Sequence, residues 1–93
     1  MIEITARHME GGVGNEHIAN VKYTNADGVR KETSRQGMVD WLNKSKANKA
    51  IVYSRDRRSS AYVGVVDRTN APDYIRTFAD GKWNDNLLAL PEY

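Results

Sequence analysis

The sequence contains no cysteine. Disulfide bonds and chemistry that needs a thiolate are therefore excluded, and a reducing compartment is compatible with the composition. No apolar run approaches the roughly 20 residues that a membrane-spanning helix requires. The N-terminal stretch MIEITARHME also lacks the basic and then apolar segments of a signal peptide. From these absences we expect a cytoplasmic protein with no membrane partner.

Motifs for metal binding and catalysis are equally scarce. The two histidines, His8 and His17, stand nine residues apart, and the chain has neither an HExxH motif nor an EF-hand loop. The GGVG run at residues 11–14 lacks the lysine of a phosphate-binding loop. We therefore predict no metal, no cofactor and no catalytic residue, hence a protein that is not an enzyme. A competing enzymatic hypothesis centres on Arg76 and Asp80.

What the chain does contain is the composition of one globular domain with unevenly placed charge. It has 93 residues, 40% of them hydrophobic and 28% charged, which predicts a single domain over residues 1–93. The net charge is only +2. Residues 44–68, however, hold seven basic and two acidic side chains, a balance of +5 against −3 for the remainder. Such a basic middle segment attracts polyanions.

Alternation of apolar and polar residues predicts several strands. In residues 2–9 one set of side chains is expected to face the core: Ile2, Ile4, Ala6 and His8. Residues 17–24 and 29–33 are predicted to form a hairpin through the NADG turn, with the charged VRKET segment at a sheet edge. A second hairpin joins residues 50–53 to 61–66 through SRDRRSS, and residues 74–78 form a last long strand before the Asp80–Gly81 turn.

A single helix is predicted after the first hairpin. Thr33 and Gln36 fit a capping box, and Met38, Trp41 and Leu42 share one helical face. We therefore predict an α+β fold in the order β-β-β-α-β-β-β. It comprises an antiparallel sheet of five or six strands, one helix and a short C-terminal helical turn that holds leucines against the core.

Three segments resemble a family of short bacterial and phage proteins with a domain of unknown function. They are ITARHM, GMVDWLN and YIRTFADGKWNDNLLALP, the last of which carries the hallmark Y-I-R-T-x-x-D-G-x-x-x-D-N-L-L-x-L-P. The residues of this chain that match the hallmark are Tyr74, Arg76, Thr77, Asp80, Gly81, Asp85, Asn86, Leu87, Leu88 and Pro91. The resemblance implies a single compact domain and brings no activity with it.

The basic hairpin is the predicted binding site. Arg55, Arg57, Arg58 and Ser59 offer donors to phosphate oxygens, and Tyr53 and Tyr62 flank them as surfaces on which a base can stack. Further candidate contacts come from three later residues, Arg76, Lys82 and Trp83. These residues predict a non-catalytic binding module for an anionic partner: a nucleic acid, a nucleotide or the nucleic-acid channel of a protein complex. A merely solvated hairpin tip is the competing interpretation.

An alternative function uses the aromatic residues. These six aromatic residues are more than a small core buries: Trp41, Tyr53, Tyr62, Phe78, Trp83 and Tyr93. Aromatic and arginine side chains are common anchors of protein interfaces. The alternative is therefore a phage-type, anti-CRISPR-like inhibitor that blocks a bacterial defence complex. The exposed VRKET edge also predicts that two copies pair into a homo-oligomer.

Overall fold

The computed structural model describes all 93 residues, Met1–Tyr93, and contains seven strands and one α-helix. In chain order they are β1 Ile2–Met9, β2 Ile18–Thr24, β3 Arg30–Ser34, α1 Arg35–Lys44, β4 Ala50–Tyr53, β5 Ser60–Val66, β6 Tyr74–Ala79 and β7 Lys82–Asn84. A single 3-10 turn, Asn15–His17, precedes β2. The fold is mostly β, so α+β describes it only loosely. No helix has the length and apolar character needed to cross a membrane.

All seven strands belong to one mixed sheet, in the order β3-β2-β1-β4-β5-β6-β7. β4 runs parallel to β1, pairing through Ile2 with Ala50 and Glu3 with Ile51. The expected antiparallel sheet of about five or six strands is therefore approximate in its strand count and wrong in one pairing, which is parallel. The parallel pair arises because α1 carries the chain from the β3 edge to the middle of the sheet, and parallel neighbours require such a crossover.

The seventh strand results from the Asp80–Gly81 turn. Both residues have positive φ, 55° and 76°, as a two-residue type I′ hairpin requires. Ala79 then pairs with Lys82 and the chain returns along β6. Three residues are too few to show an alternating pattern, which is why the sequence predicted the turn and missed the strand.

Helix α1 covers one face of the sheet and buries Met38 and Val39 in the core. Its N-cap is Ser34, whose Oγ accepts a hydrogen bond of 3.0 Å from the Gly37 amide, so the predicted Thr33 cap is displaced by one residue. A Cβ on Gly37 would lie 2.3 Å from Thr33 Oγ1. The glycine therefore allows the first helical turn to lie close to the end of β3, despite a helix propensity about 1 kcal/mol below alanine.

A β-bulge in β1 changes which side chains face the core. The register shifts between Ile4 and Ala6, and Arg7 lies opposite the buried Val21. Its Nε donates to the Leu88 carbonyl at 2.8 Å. His8, predicted to face inward, lies on the other side of the sheet and contacts the terminal carbonyl of Tyr93. The simple two-residue alternation fails here because a bulge adds one residue to one strand.

The C-terminal segment closes the remaining edge of β1. The chain turns after Asn84, with the Ala89 amide bonded to the Asp85 carbonyl at 3.2 Å, and Leu87 is fully buried. Arg7 then exchanges hydrogen bonds of 3.0 Å with Pro91 and Tyr93. The predicted C-terminal turn is present, and the tail occupies the part of β1 that β4 leaves unpaired.

Candidate functional site

The tip of the β4–β5 hairpin is organised around Asp56. Its carboxylate accepts from Ser54 Oγ at 2.7 Å and from the Arg58 amide at 3.1 Å. The hydrogen bond from Ser54 lowers the pKa of Asp56 below its usual range, and the bond from the Arg58 amide adds a smaller effect in the same direction. The Ser59 amide donates to Ser54 Oγ at 3.2 Å, so Ser59 helps to hold the loop. Sequence reasoning treated Asp56 only as a charge and missed this role.

The three arginines of the tip do not form one cluster of free cations. Arg57 has a φ of 60° and folds back onto β1, where its Nη1 lies 3.0 Å from the Glu3 carboxylate. Its guanidinium also covers the Tyr53 ring at 4.3 Å from the centroid. The hydrogen bond and the charge of Glu3 raise the pKa of Arg57 further. Arg55 and Arg58 are exposed and form no ion pair.

Arg76 holds the C-terminal turn in place. Its Nη2 lies 2.9 Å from Asp85 Oδ1, and its Nε donates to the Asn84 carbonyl at 3.1 Å. Asp85 also accepts from Asn15 Nδ2 at 3.2 Å. Asp80 lies in the exposed β6–β7 turn, so the carboxylate partner of Arg76 is Asp85 and not Asp80. The Arg76–Asp80 pair of the enzymatic hypothesis is therefore not formed.

Three aromatic residues form a row across the end of the sheet, hereafter the aromatic row: Tyr62, Phe78 and Trp83. Tyr62 of β5 pairs with Phe78 of β6, which pairs with Trp83 of β7. Directly paired residues lie on the same face, and this face is opposite to the core, because Val63 and Thr77 beside them are buried. The three side chains are 43%, 37% and 47% exposed.

Gly64 sets the orientation of two of these rings. A Cβ at this position would lie 3.1 Å from Trp83 Cη2 and 3.2 Å from Phe78 Cε1, so both rings lean over the bare backbone. Phe78 and Trp83 pack edge to face with their centroids 5.7 Å apart. The result is a shaped apolar surface. Phe78 was predicted only as an aromatic anchor of the alternative function and not as part of the anion-binding site, because its position in the row depends on β7.

Basic side chains border the aromatic row. Lys49 Nζ lies 5.3 Å from the Tyr62 centroid, whereas Lys82, which precedes Trp83 on the exposed edge strand, faces the opposite side of the sheet because successive strand residues alternate. A groove of about 650 Å³ lies between the α1–β4 loop and the row, with Lys46 and Lys49 on one side and Tyr62 and Phe78 on the other. Tyr62 and Trp83 of the predicted site thus lie on one face, away from the arginines of the hairpin tip, and the predicted Lys82 lies on the other face.

The fold and this surface define a small, mostly β domain with an exposed aromatic sheet face. The chain belongs to the family described as "Protein of unknown function (DUF3892)", whose family model matches residues 3–91. The expected resemblance to a domain of unknown function is thereby confirmed. No curated protein and no solved structure gives a significant match. The family description names no activity, so function has to be argued from the geometry.

Proposed function

We propose that this protein is a non-catalytic module that binds single-stranded nucleic acid on the aromatic row. The observation that carries the proposal is the in-register placement of Tyr62, Phe78 and Trp83 on the exposed face of three adjacent strands. Exposed aromatic residues on an antiparallel sheet stack two or three bases in known RNA-binding domains. Each base stacked on an aromatic ring contributes about 1–3 kcal/mol.

Charge around the row supports an anionic chain rather than a neutral ligand. Lys46 and Lys49 line the groove beside Tyr62 and Phe78, and Arg58 at the hairpin tip is a further unpaired cation. Tyr53 lies on the same face, because its strand neighbour Ile51 pairs with Tyr62. A strand whose bases stack on the row therefore has lysines beside the Tyr62 end of the row for its phosphates.

A second candidate follows from the same exposed rings. An accessible tryptophan with neighbouring cations is also a common anchor of a protein interface, so a protein target, such as the bacterial defence complex of an inhibitor, remains the alternative proposal. The salt dependence of binding distinguishes the nucleic-acid proposal from the protein-target proposal, because counterion release makes nucleic-acid binding strongly salt-dependent. Pairing of two copies along the exposed β3 edge is a separate prediction, which sedimentation velocity tests.

The test is fluorescence anisotropy with labelled oligo(dT) and oligo(U) over a series of salt concentrations. Trp83→Ala is expected to weaken binding about 10- to 100-fold, which corresponds to one lost stack. Val29→Ala, which removes exposed apolar surface outside the row, should leave affinity unchanged. Lys46→Ala with Lys49→Ala should reduce the slope of log affinity against log salt concentration by about 0.7 per lost phosphate contact.

Two outcomes refute the proposal. One is the absence of binding to either oligonucleotide at low salt. The other is equal binding by the Trp83→Ala variant and the unmodified protein, with both folded by circular dichroism. In a Trp41→Phe background, Trp83 is the only tryptophan, so quenching of its fluorescence by the oligonucleotide reports contact with the row directly.

A further inference from the structure

A second groove opens where β1 changes partners. β4 pairs with β1 only at Ile2 and Glu3, whereas the C-terminal tail joins β1 at Arg7. The bulge between Ile4 and Ala6 lies between these two contacts. The resulting space, hereafter the tip groove, has a volume of about 790 Å³ between β1, the hairpin tip and the C-terminal turn. Small-molecule sites span roughly 300–1,000 Å³.

The walls of the tip groove combine apolar and polar residues. Ile4, Tyr53, Leu90 and Pro91 line it, and Ile4 is fully buried. The Pro91 wall is held against β1, because the Pro91 carbonyl accepts a backbone hydrogen bond of 3.0 Å from Arg7. An apolar body placed here loses contact with water on more than one side, which is the main source of affinity for small ligands.

The polar groups at the groove carry one unbalanced positive charge. Glu3 and Arg57 neutralise each other at 3.0 Å, and Arg57 is held in place over the Tyr53 ring. Arg55 is exposed and forms no ion pair. The backbone amide of Asn86 donates to Asn84 Oδ1 at 3.1 Å, whereas the side-chain amide of Asn86 makes no hydrogen bond within the chain. One guanidinium and one amide are therefore free to bind an acceptor.

We propose that the tip groove binds a small organic anion, with a carboxylate or phosphate group and an apolar body. The anionic group binds Arg55 and accepts from the Asn86 amide, since a guanidinium forms strong charge-assisted hydrogen bonds with either anion. The apolar body packs against Leu90, Pro91 and the exposed side of Tyr53. This site uses no residue of the aromatic row and is independent of the nucleic-acid proposal.

The test is an NMR titration of the ¹⁵N-labelled protein with benzoate and with phenyl phosphate. Both are expected to shift the amides of Thr5, Arg55, Asn86 and Leu90, and the tighter of the two identifies the preferred anionic group. Benzyl alcohol carries the apolar body alone and inorganic phosphate the anion alone, so each should bind at least about 10-fold more weakly. Absence of these shifts at millimolar benzoate and phenyl phosphate overturns the proposal.

Variants separate a specific site from general attraction. Arg55→Ala should weaken binding of the tighter probe about 10-fold, the loss of one charge-assisted contact. Arg58→Ala removes the same charge from the same hairpin outside the groove, and should leave binding unchanged. An equal effect of the two variants overturns the site. Trp83→Ala should not affect the probe, so failure here and failure of the nucleic-acid proposal are distinguishable.

Discussion

Replacing Thr77 with valine tests whether its buried hydroxyl holds the C-terminal turn. Thr77 is fully buried, and its Oγ1 donates to Asn84 Oδ1 at 2.5 Å and accepts from the Leu87 amide at 3.3 Å. Valine has nearly the same shape but leaves the Leu87 amide without a partner. A buried unsatisfied group costs about 1–3 kcal/mol, and the lost hydrogen bond costs about 1 kcal/mol more. We therefore expect Thr77→Val to destabilise the protein by about 2–4 kcal/mol.

Thr77→Ser is the matched control because it keeps the hydroxyl and loses only one buried methyl group. That loss costs about 1 kcal/mol. Urea unfolding followed by circular dichroism gives the free energy of unfolding of each variant. For the unmodified protein we expect about 5–14 kcal/mol from the length of the chain. If hydrophobicity alone determined stability, the valine variant would be more stable than the serine variant. A valine variant as stable as the serine variant would refute the hydrogen-bonding role.

Three further predictions concern the hairpins. Glu3→Gln should lower stability by at most about 1 kcal/mol. It should also free Arg57, which steepens the slope of log oligonucleotide affinity against log salt concentration by about 0.7. Glu10→Gln makes the same charge change elsewhere and should change this slope only by a general electrostatic effect. Because the pKa of Asp56 is lowered in the folded state, its stabilising effect is present above the ordinary carboxyl pKa and is lost as pH falls through the lowered value. Asp56→Asn should therefore remove this part of the loss of stability in acid, measured by urea unfolding between about pH 5 and pH 2. Gly81→Ala meets no neighbour within 4 Å but must adopt a φ of 76°, so it should lower stability by about 1–2 kcal/mol in the same assay.

Local patterns in the sequence predicted much of the secondary structure. Six strands and the helix appear in the predicted order, and the turn at Asp80–Gly81 is formed. These features depend on neighbouring residues: alternation within a strand, helical spacing in α1 and residues that tolerate positive φ. The bulge in β1 is one of the local features that these patterns did not indicate. One inserted residue reverses the faces of Arg7 and His8, and nothing in the alternation before it indicates the shift.

Features of the candidate sites were predictable only in part. Tyr62 and Trp83 were selected as exposed aromatic residues, but their assembly into one surface requires the pairing of β5, β6 and β7, and the same pairing puts the selected Lys82 on the other face. Arg57 was expected to be free, and its partner Glu3 lies 54 residues away. Such partners cannot be assigned from composition, because any of the carboxylates in the chain is an equally good match for a guanidinium.

By itself the sequence determined the class of chain: a single cysteine-free domain with a basic middle segment, turn residues at its hairpins and one amphipathic helix. The tertiary structure alone decided that β4 inserts beside β1, that Arg57 and Arg76 are paired within the chain, and that three aromatic rings line up on an exposed face. The physical reason is the range of the interactions. Turn and helix preferences act over a few residues, whereas strand order, register and ion pairing join residues far apart in the chain and are set when the sheet assembles.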